Sequence, residues 1–237
     1  MVQKKISVII PARNEAECLP AVLAELPKDI IHEIIVVDGH SSDGTADVVR
    51  KLGYKCVPQV GMGYGMAVET GLKHVSGDYV TFLDADGSYD PAALPILSAL
   101  LDKGNDVAFC SRYLPESGSD DDTWIRSLGN WGFTLMMRVL FGVRLTDSLF
   151  LYMMAKRDVF GQFEMESKYF EWCIEFPIRV HRAKMKYAEI PSRERPRIAG
   201  ESKVNAFIDG LKILWILFKL KISLKKNVAR GVTAPTI

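Results

Sequence analysis

The chain has 237 residues, 48% of them hydrophobic and 25% charged, with a formal net charge of +1. That is enough apolar material for one α/β domain with an appendage rather than two domains. Its four cysteines, Cys18, Cys56, Cys110 and Cys173, lie far apart with no CxxC pair, which argues against a zinc site and a disulfide framework and suits a reducing cytosol.

The first five residues run straight into an apolar segment at 6–10, predicted as a strand, with no signal-peptide apolar region before it, so nothing marks the chain for export. A helix is predicted over 14–26 with Asn14 as its cap, and a second strand over 33–37. The turn from Ser41 to Thr45 leads to a helix reaching about Leu52, a short strand at 54–57, a glycine-rich turn and a helix ending at His74. Strands at 79–83 and 107–110 complete a mostly parallel set. Such alternation predicts a doubly wound sheet with ligands at the carboxyl edges of its strands.

Three polar clusters fall at those edges: Pro11 to Glu15, Asp38 to Asp43, and Asp84-Ala85-Asp86. Two carboxylates one residue apart cannot both point into a core. A divalent cation held against a diphosphate is the usual reason for tolerating their repulsion; a turn or helix cap is the competing reading. The glycines at Gly61, Gly63 and Gly65 follow the third strand and lack the wider last step of a dinucleotide fingerprint. Their bare backbone either lets a nucleotide or the acidic loop approach or serves the turn alone. The acidic stretch 115–123 reads as a mobile connection or as a lid.

Charge is unevenly divided. Residues 179–230 carry 14 Lys/Arg and 4 Asp/Glu, leaving 16 basic and 25 acidic side chains in 1–178. An anionic partner, nucleic acid or membrane, is implied for the basic part. Within it, 203–226 shows a polar stripe at Asn205, Asp209, Lys212, Lys219 and Ser223, interrupted by Ile216, with Phe207, Leu211, Leu214, Trp215 and Phe218 opposite. This predicts a helix lying in a membrane interface with lysines toward anionic headgroups; a core-packing or dimerising helix is the competing reading. Its charge-free run from Ile213 to Phe218 is too short to span a bilayer. A membrane surface is therefore expected as partner, nucleic acid is not, and an oligomer is left open.

Taken together, SVIIPARNEAE, IIVVDGHSSDGTADVV, GMGYGMAVETGLKHVSGDYVTFLDADGSYDP, CSRY and RIAGESK resemble the family 2 glycosyltransferases of GT-A fold, specifically the dolichol- or polyprenyl-phosphate sugar synthases, over about residues 5–218. The resemblance implies a GT-A domain over 1–200, an amphipathic membrane-associating region over 201–226 and a tail over 227–237. It implies inverting transfer of a hexose or N-acetylhexosamine from a GDP- or UDP-sugar, with Mg²⁺ or Mn²⁺, to a polyprenyl or dolichyl phosphate at the cytoplasmic face of a membrane. A soluble transferase with a small-molecule or protein acceptor is the alternative.

Residue by residue, the resemblance assigns Pro11, Arg13, Glu15, Val37, Asp38, Asp84, Ala85, Asp86 and Lys203 to the nucleotide-sugar. Many relatives carry a second acid where this chain has Gly39. Asp84 and Asp86 are implied as metal ligands, with Ser88 in the place of a third oxygen donor. Arg112, Arg126, Asn130 and Arg197 match acceptor-phosphate positions, and Asp86, Arg112, Arg126 and Arg197 are the implied catalytic set. Asp147 is carried over from a segment that otherwise departs from the family pattern.

Overall fold

A computed structural model describes residues 4–200 and 206–229. The chain begins with β1 (Ile6–Ala12), α1 (Leu19–Glu25), β2 (Ile31–Asp38), α2 (Thr45–Lys51), β3 (Lys55–Pro58) and α3 (Tyr64–Leu72). It continues through β4 (Tyr79–Phe82), α4 (Ala93–Asp102), β5 (Val107–Ser111), β6 (Gly118–Ser119) and α5 (Trp124–Phe141). The remainder comprises β7 (Met153–Lys156), α6 (Arg157–Phe160), α7 (Trp172–Arg182), β8 (Tyr187–Pro191), β9 (Arg193–Glu194) and α8 (Ala206–Ala229).

Seven strands form one sheet in the order β3-β2-β1-β4-β7-β5-β8, and β6 pairs with β9 beside it. Only β7 runs antiparallel to its sheet neighbours, β4 and β5. Because β1 pairs with both β2 and β4, the direction of winding changes at β1, and the crevice at its carboxyl end is where such folds take ligands.

Alternate side chains of each central strand feed two separate cores, which is why these strands read as mainly apolar runs rather than as alternating ones. Ile9, Ile35, Val37, Val80 and Phe82 point into one core with residues of α3, α7 and α8. Val8, Ile10 and Val36 enter the other with residues of α1 and α4. The expectation of a doubly wound, mostly parallel α/β sheet holds, and all four cysteines are free.

The expected helix at 14–26 begins only at Leu19, and Asn14 does not cap it. Asn14 sits at φ +54, and its side chain accepts from Ser42 N at 2.8 Å instead. The backbone N–H groups of Asn14, Glu15 and Ala16 donate to Ser41 Oγ, Thr45 Oγ1 and Asp43 Oδ2 at 2.9, 2.9 and 3.0 Å. These bonds hold the segment after β1 as a loop against the turn after β2.

Helix α8 is apolar on two sides. Ile213, Ile216, Leu217 and Leu220 are buried in the main core, which explains why Ile216 interrupts the polar stripe. Phe207, Leu211, Leu214, Trp215 and Phe218 are exposed.

Candidate active site

The carboxyl edge of the sheet gathers the first predicted group. Pro11 and Val37 face each other across the β1–β2 register, and Ala12 stands opposite Asp38. Asp38 Oδ2 accepts from Ser41 N at 3.4 Å, while its buried Oδ1 has no hydrogen-bond partner among the described residues. Gly39 occupies a place where a Cβ would stand 3.0 Å from Gln59 Oε1, so the second acid common in relatives has no room unless Gln59 shifts. Arg13 is exposed beside this edge.

Asp84 and Asp86 follow the end of β4, with Ala85 buried between them. Burial, with the neighbouring Asp86 charge, pushes the Asp84 carboxyl up to about 8, partly opposed by a hydrogen bond from Tyr89. The Tyr64 hydroxyl reaches Asp84 Oδ1 at 3.5 Å. Asp86 Oδ1 accepts from Ser88 N at 2.9 Å, and Arg197 Nη2 stands 3.4 Å from both Asp86 Oδ2 and Glu15 Oε1. Gly87 is required between them: it lies at φ +83, and a Cβ there would come within 2.5 Å of Ile198. Ile198 N donates to Asp86 O and Arg195 N to Ser88 O, each at 2.8 Å, so the segment carrying Arg197 is laid along the turn from Asp86 to Ser88. Lys203 lies outside the described residues.

The second group centres on Arg112, at the end of β5. Its Nε and Nη2 donate to the two oxygens of Asp147 at 2.7 and 3.1 Å, and its Nη1 donates to Glu194 at 2.9 Å, with Asp122 3.8 Å away. Asn130, buried in α5, donates to Asp147 Oδ1 at 2.8 Å. Asp147 is thus the carboxylate that fixes Arg112 and Asn130. Arg126 is set apart from them: 40% exposed in the first turn of α5, it pairs with Asp121 at 3.5 Å. A bridge between Tyr89 and Glu194 joins the two groups.

Residues 7–162 match the model of glycosyl transferase family 2. The chain belongs to this family. It is 31% identical over 205 residues to an uncharacterized glycosyltransferase of Mycobacterium tuberculosis, covering 86% of this chain and 92% of that one. It is 28% identical over 210 residues to the dolichyl-phosphate hexose transferase of Haloferax volcanii, covering 88% and 90%. The fold matches glucosyl-3-phosphoglycerate synthase of Mycobacterium tuberculosis, in complex with Mn²⁺, UDP and phosphoglyceric acid, with a TM-score of 0.75 at 20% identity, over 92% of this chain and 78% of that one.

For a family 2 glycosyltransferase, the Asp84-Ala85-Asp86 group fits a divalent cation. The Asp84 carboxyl is driven toward neutrality partly by its neighbour, a repulsion that a cation between them removes. Among the described residues no group of three or more His, Cys, Asp or Glu side chains could hold a metal. A cation held by these two carboxylates would take its other ligands from oxygens that they do not supply, as suits a hard cation shared with phosphates. Tyr64, Tyr89, Glu194 and the Ser41 to Thr45 anchors were not singled out as site residues from sequence. Tyr64 stands inside the glycine-rich segment, whose spacing was its one signal.

Proposed function

We propose that this glycosyltransferase moves a hexose or N-acetylhexosamine from a GDP- or UDP-sugar to the phosphate of a polyprenol, with inversion at the anomeric carbon, while seated peripherally on the cytoplasmic face of a membrane. Residues 1–200 are read as the catalytic part, 201–226 as the membrane-associating region and 227–237 as a tail. The observation that carries the lipid acceptor is the exposed apolar face of α5 and α8. Trp124, Leu128, Trp131, Leu135 and Val139 recur on one side of α5 and are between 40% and 75% exposed. Helix α8 packs against α5, where Gly210 stands next to Phe133, and exposes its own row from Phe207 to Phe218. Rows of exposed tryptophan, phenylalanine and leucine on neighbouring helices suit the headgroup boundary of a bilayer. No helix of the described residues is long and apolar enough to cross a membrane.

The seating differs in one respect from expectation. Lys212 lies over the Tyr169 ring at 4.4 Å and pairs with Asp209, and Lys219 pairs with Glu166 at 2.6 Å. Lys212, through Tyr169, and Lys219, through Glu166, are thereby engaged by the protein's own groups, which favours apolar contact over their charge as the source of attachment.

A phosphate monoester is already ionised near neutral pH, so its oxygen needs positioning and charge neutralisation more than a general base. Arg126 and Arg197 suit those tasks, and Arg112 joins them from a fixed position on Asp147. Mg²⁺ or Mn²⁺ held by Asp84 and Asp86, with Ser88 beside them, would offset the charge of the departing diphosphate. Pro11, Arg13, Glu15, Val37 and Asp38 line the edge where the nucleoside would lie.

The test is to incubate the purified protein with short polyprenyl phosphates and a panel of GDP- and UDP-sugars and to identify products by mass spectrometry. A glycosyl polyprenyl phosphate is expected. Transfer to water-soluble acceptors alone would replace this reading with that of a soluble transferase.

A further inference from the structure

The Arg112 guanidinium, only 8% exposed, faces three carboxylates through two unlike edges. The Asp147 edge is permanent. That carboxylate is fully buried and also accepts from Arg112 N, Asn130 Nδ2 and Leu149 N, so it cannot leave without stranding several donors. The Nη1 edge is different, because its carboxylates belong to a surface loop and to the strand that pins it.

Glu194 Oε2 accepts from Ser119 Oγ at 2.6 Å as well as from Arg112, and Glu194 O accepts from Asp120 N at 2.9 Å. Asp122 is held by the hydroxyls of Tyr113 and Ser127 at 3.1 and 3.3 Å. Outside this knot, Arg193 clamps Asp120 through two hydrogen bonds of 2.9 and 2.5 Å, and β6 pairs with β9. One of the two carboxylates at the Nη1 edge, Glu194, thus also ties the loop at 115–123 to β9 through Ser119, while the other, Asp122, is the loop's own and is held by Tyr113 and Ser127.

We propose that Glu194 and Asp122 are placeholders for the acceptor's phosphate: a phosphate entering at Arg112 Nη1 displaces them and releases the 115–123 loop from β9. This rests on the reading above that the acceptor is a phosphate monoester. Two carboxylates and a phosphate dianion within about 4 Å of one cationic edge repel one another, whereas a phosphate alone satisfies the guanidinium as well as they do. Loop closure and phosphate capture thus exclude each other.

Two measurements on the full chain test this. Hydrogen exchange at the amides of Asp120 and Asp122 is followed with and without farnesyl phosphate; faster exchange on addition is expected, and slower or unchanged exchange overturns the proposal. Kinetics of Asp122→Asn and, away from Arg112, Arg193→Ala are compared with wild type. Removing the Asp122 charge from the Arg112 edge predicts a KM for farnesyl phosphate lower by a few-fold, and Arg193→Ala, which breaks an exposed pair, a smaller fall in the same direction, with kcat changed less in both. An unchanged or raised KM overturns it. Absence of any transfer by the wild type would sink the proposed function instead, while the exchange measurement, which needs no turnover, still decides the placeholder role.

Discussion

Replacing Leu214, Trp215 and Phe218 with serine should detach the protein from vesicles without unfolding it. The three side chains are 44%, 66% and 59% exposed on the outer side of α8. Full burial of such residues is worth about 1.5–3 kcal/mol each, so completing their burial in a bilayer leaves about 1–2 kcal/mol apiece. Before the cost of ordering, the triple change removes about 3–6 kcal/mol of attachment, on the order of a hundredfold or more in partitioning. The folded state loses little, since exposed substitutions usually stay within about 0.5 kcal/mol each. Leu217→Ala is the control: Leu217 is 2% exposed in the core, so it should cost about 2–5 kcal/mol of stability. Co-sedimentation with vesicles and thermal melts of the same samples read both quantities. A triple variant that melts early, or that sediments as wild type does, would refute the assignment of this face to lipid.

Other outcomes follow from the carboxylates and the arginine cluster. Asp86→Ala should abolish donor turnover, as should excess EDTA; full activity in EDTA would remove the metal from the mechanism. With Asp84 raised to about 8, the folded protein favours its protonated form, so this group's contribution to stability is complete below the ordinary carboxylate range and is lost as pH rises toward 8. A metal must displace that proton, so apparent affinity should climb between pH 6 and 8 with proton release, seen by calorimetry in two buffers, and Asp84→Asn should flatten the climb. Asp147→Ala should lower stability by about 3–5 kcal/mol, because it strands the buried Arg112 charge, and chemical denaturation would show it.

The central strands were legible because their double burial writes mainly apolar runs such as 34–37 and 79–83, and Asp38 and Asp84 end those runs abruptly. β7 was not, since four residues inserted between β4 and β5 carry no period that reveals an antiparallel strand. The start of α1 was misread because Asn14 serves a loop contact 28 residues away, to Ser42, that mimics a cap in sequence. The Arg112 cluster was half legible: the arginine and Asp147, 35 residues on, were carried over by the resemblance, but that they pair was not, and Glu194, 82 residues on, carried no signal. For α8 the exposed row was visible, whereas its buried row was hidden because both sides of the helix are apolar.

The most direct measurement is the relative kcat/KM for one nucleotide sugar with farnesyl phosphate embedded in vesicles and with phosphoglyceric acid in solution. The account predicts strong preference for the vesicle-borne phosphate, lost when Leu214, Trp215 and Phe218 are replaced. Equal or better use of the soluble phosphate, indifferent to those replacements, would contradict it.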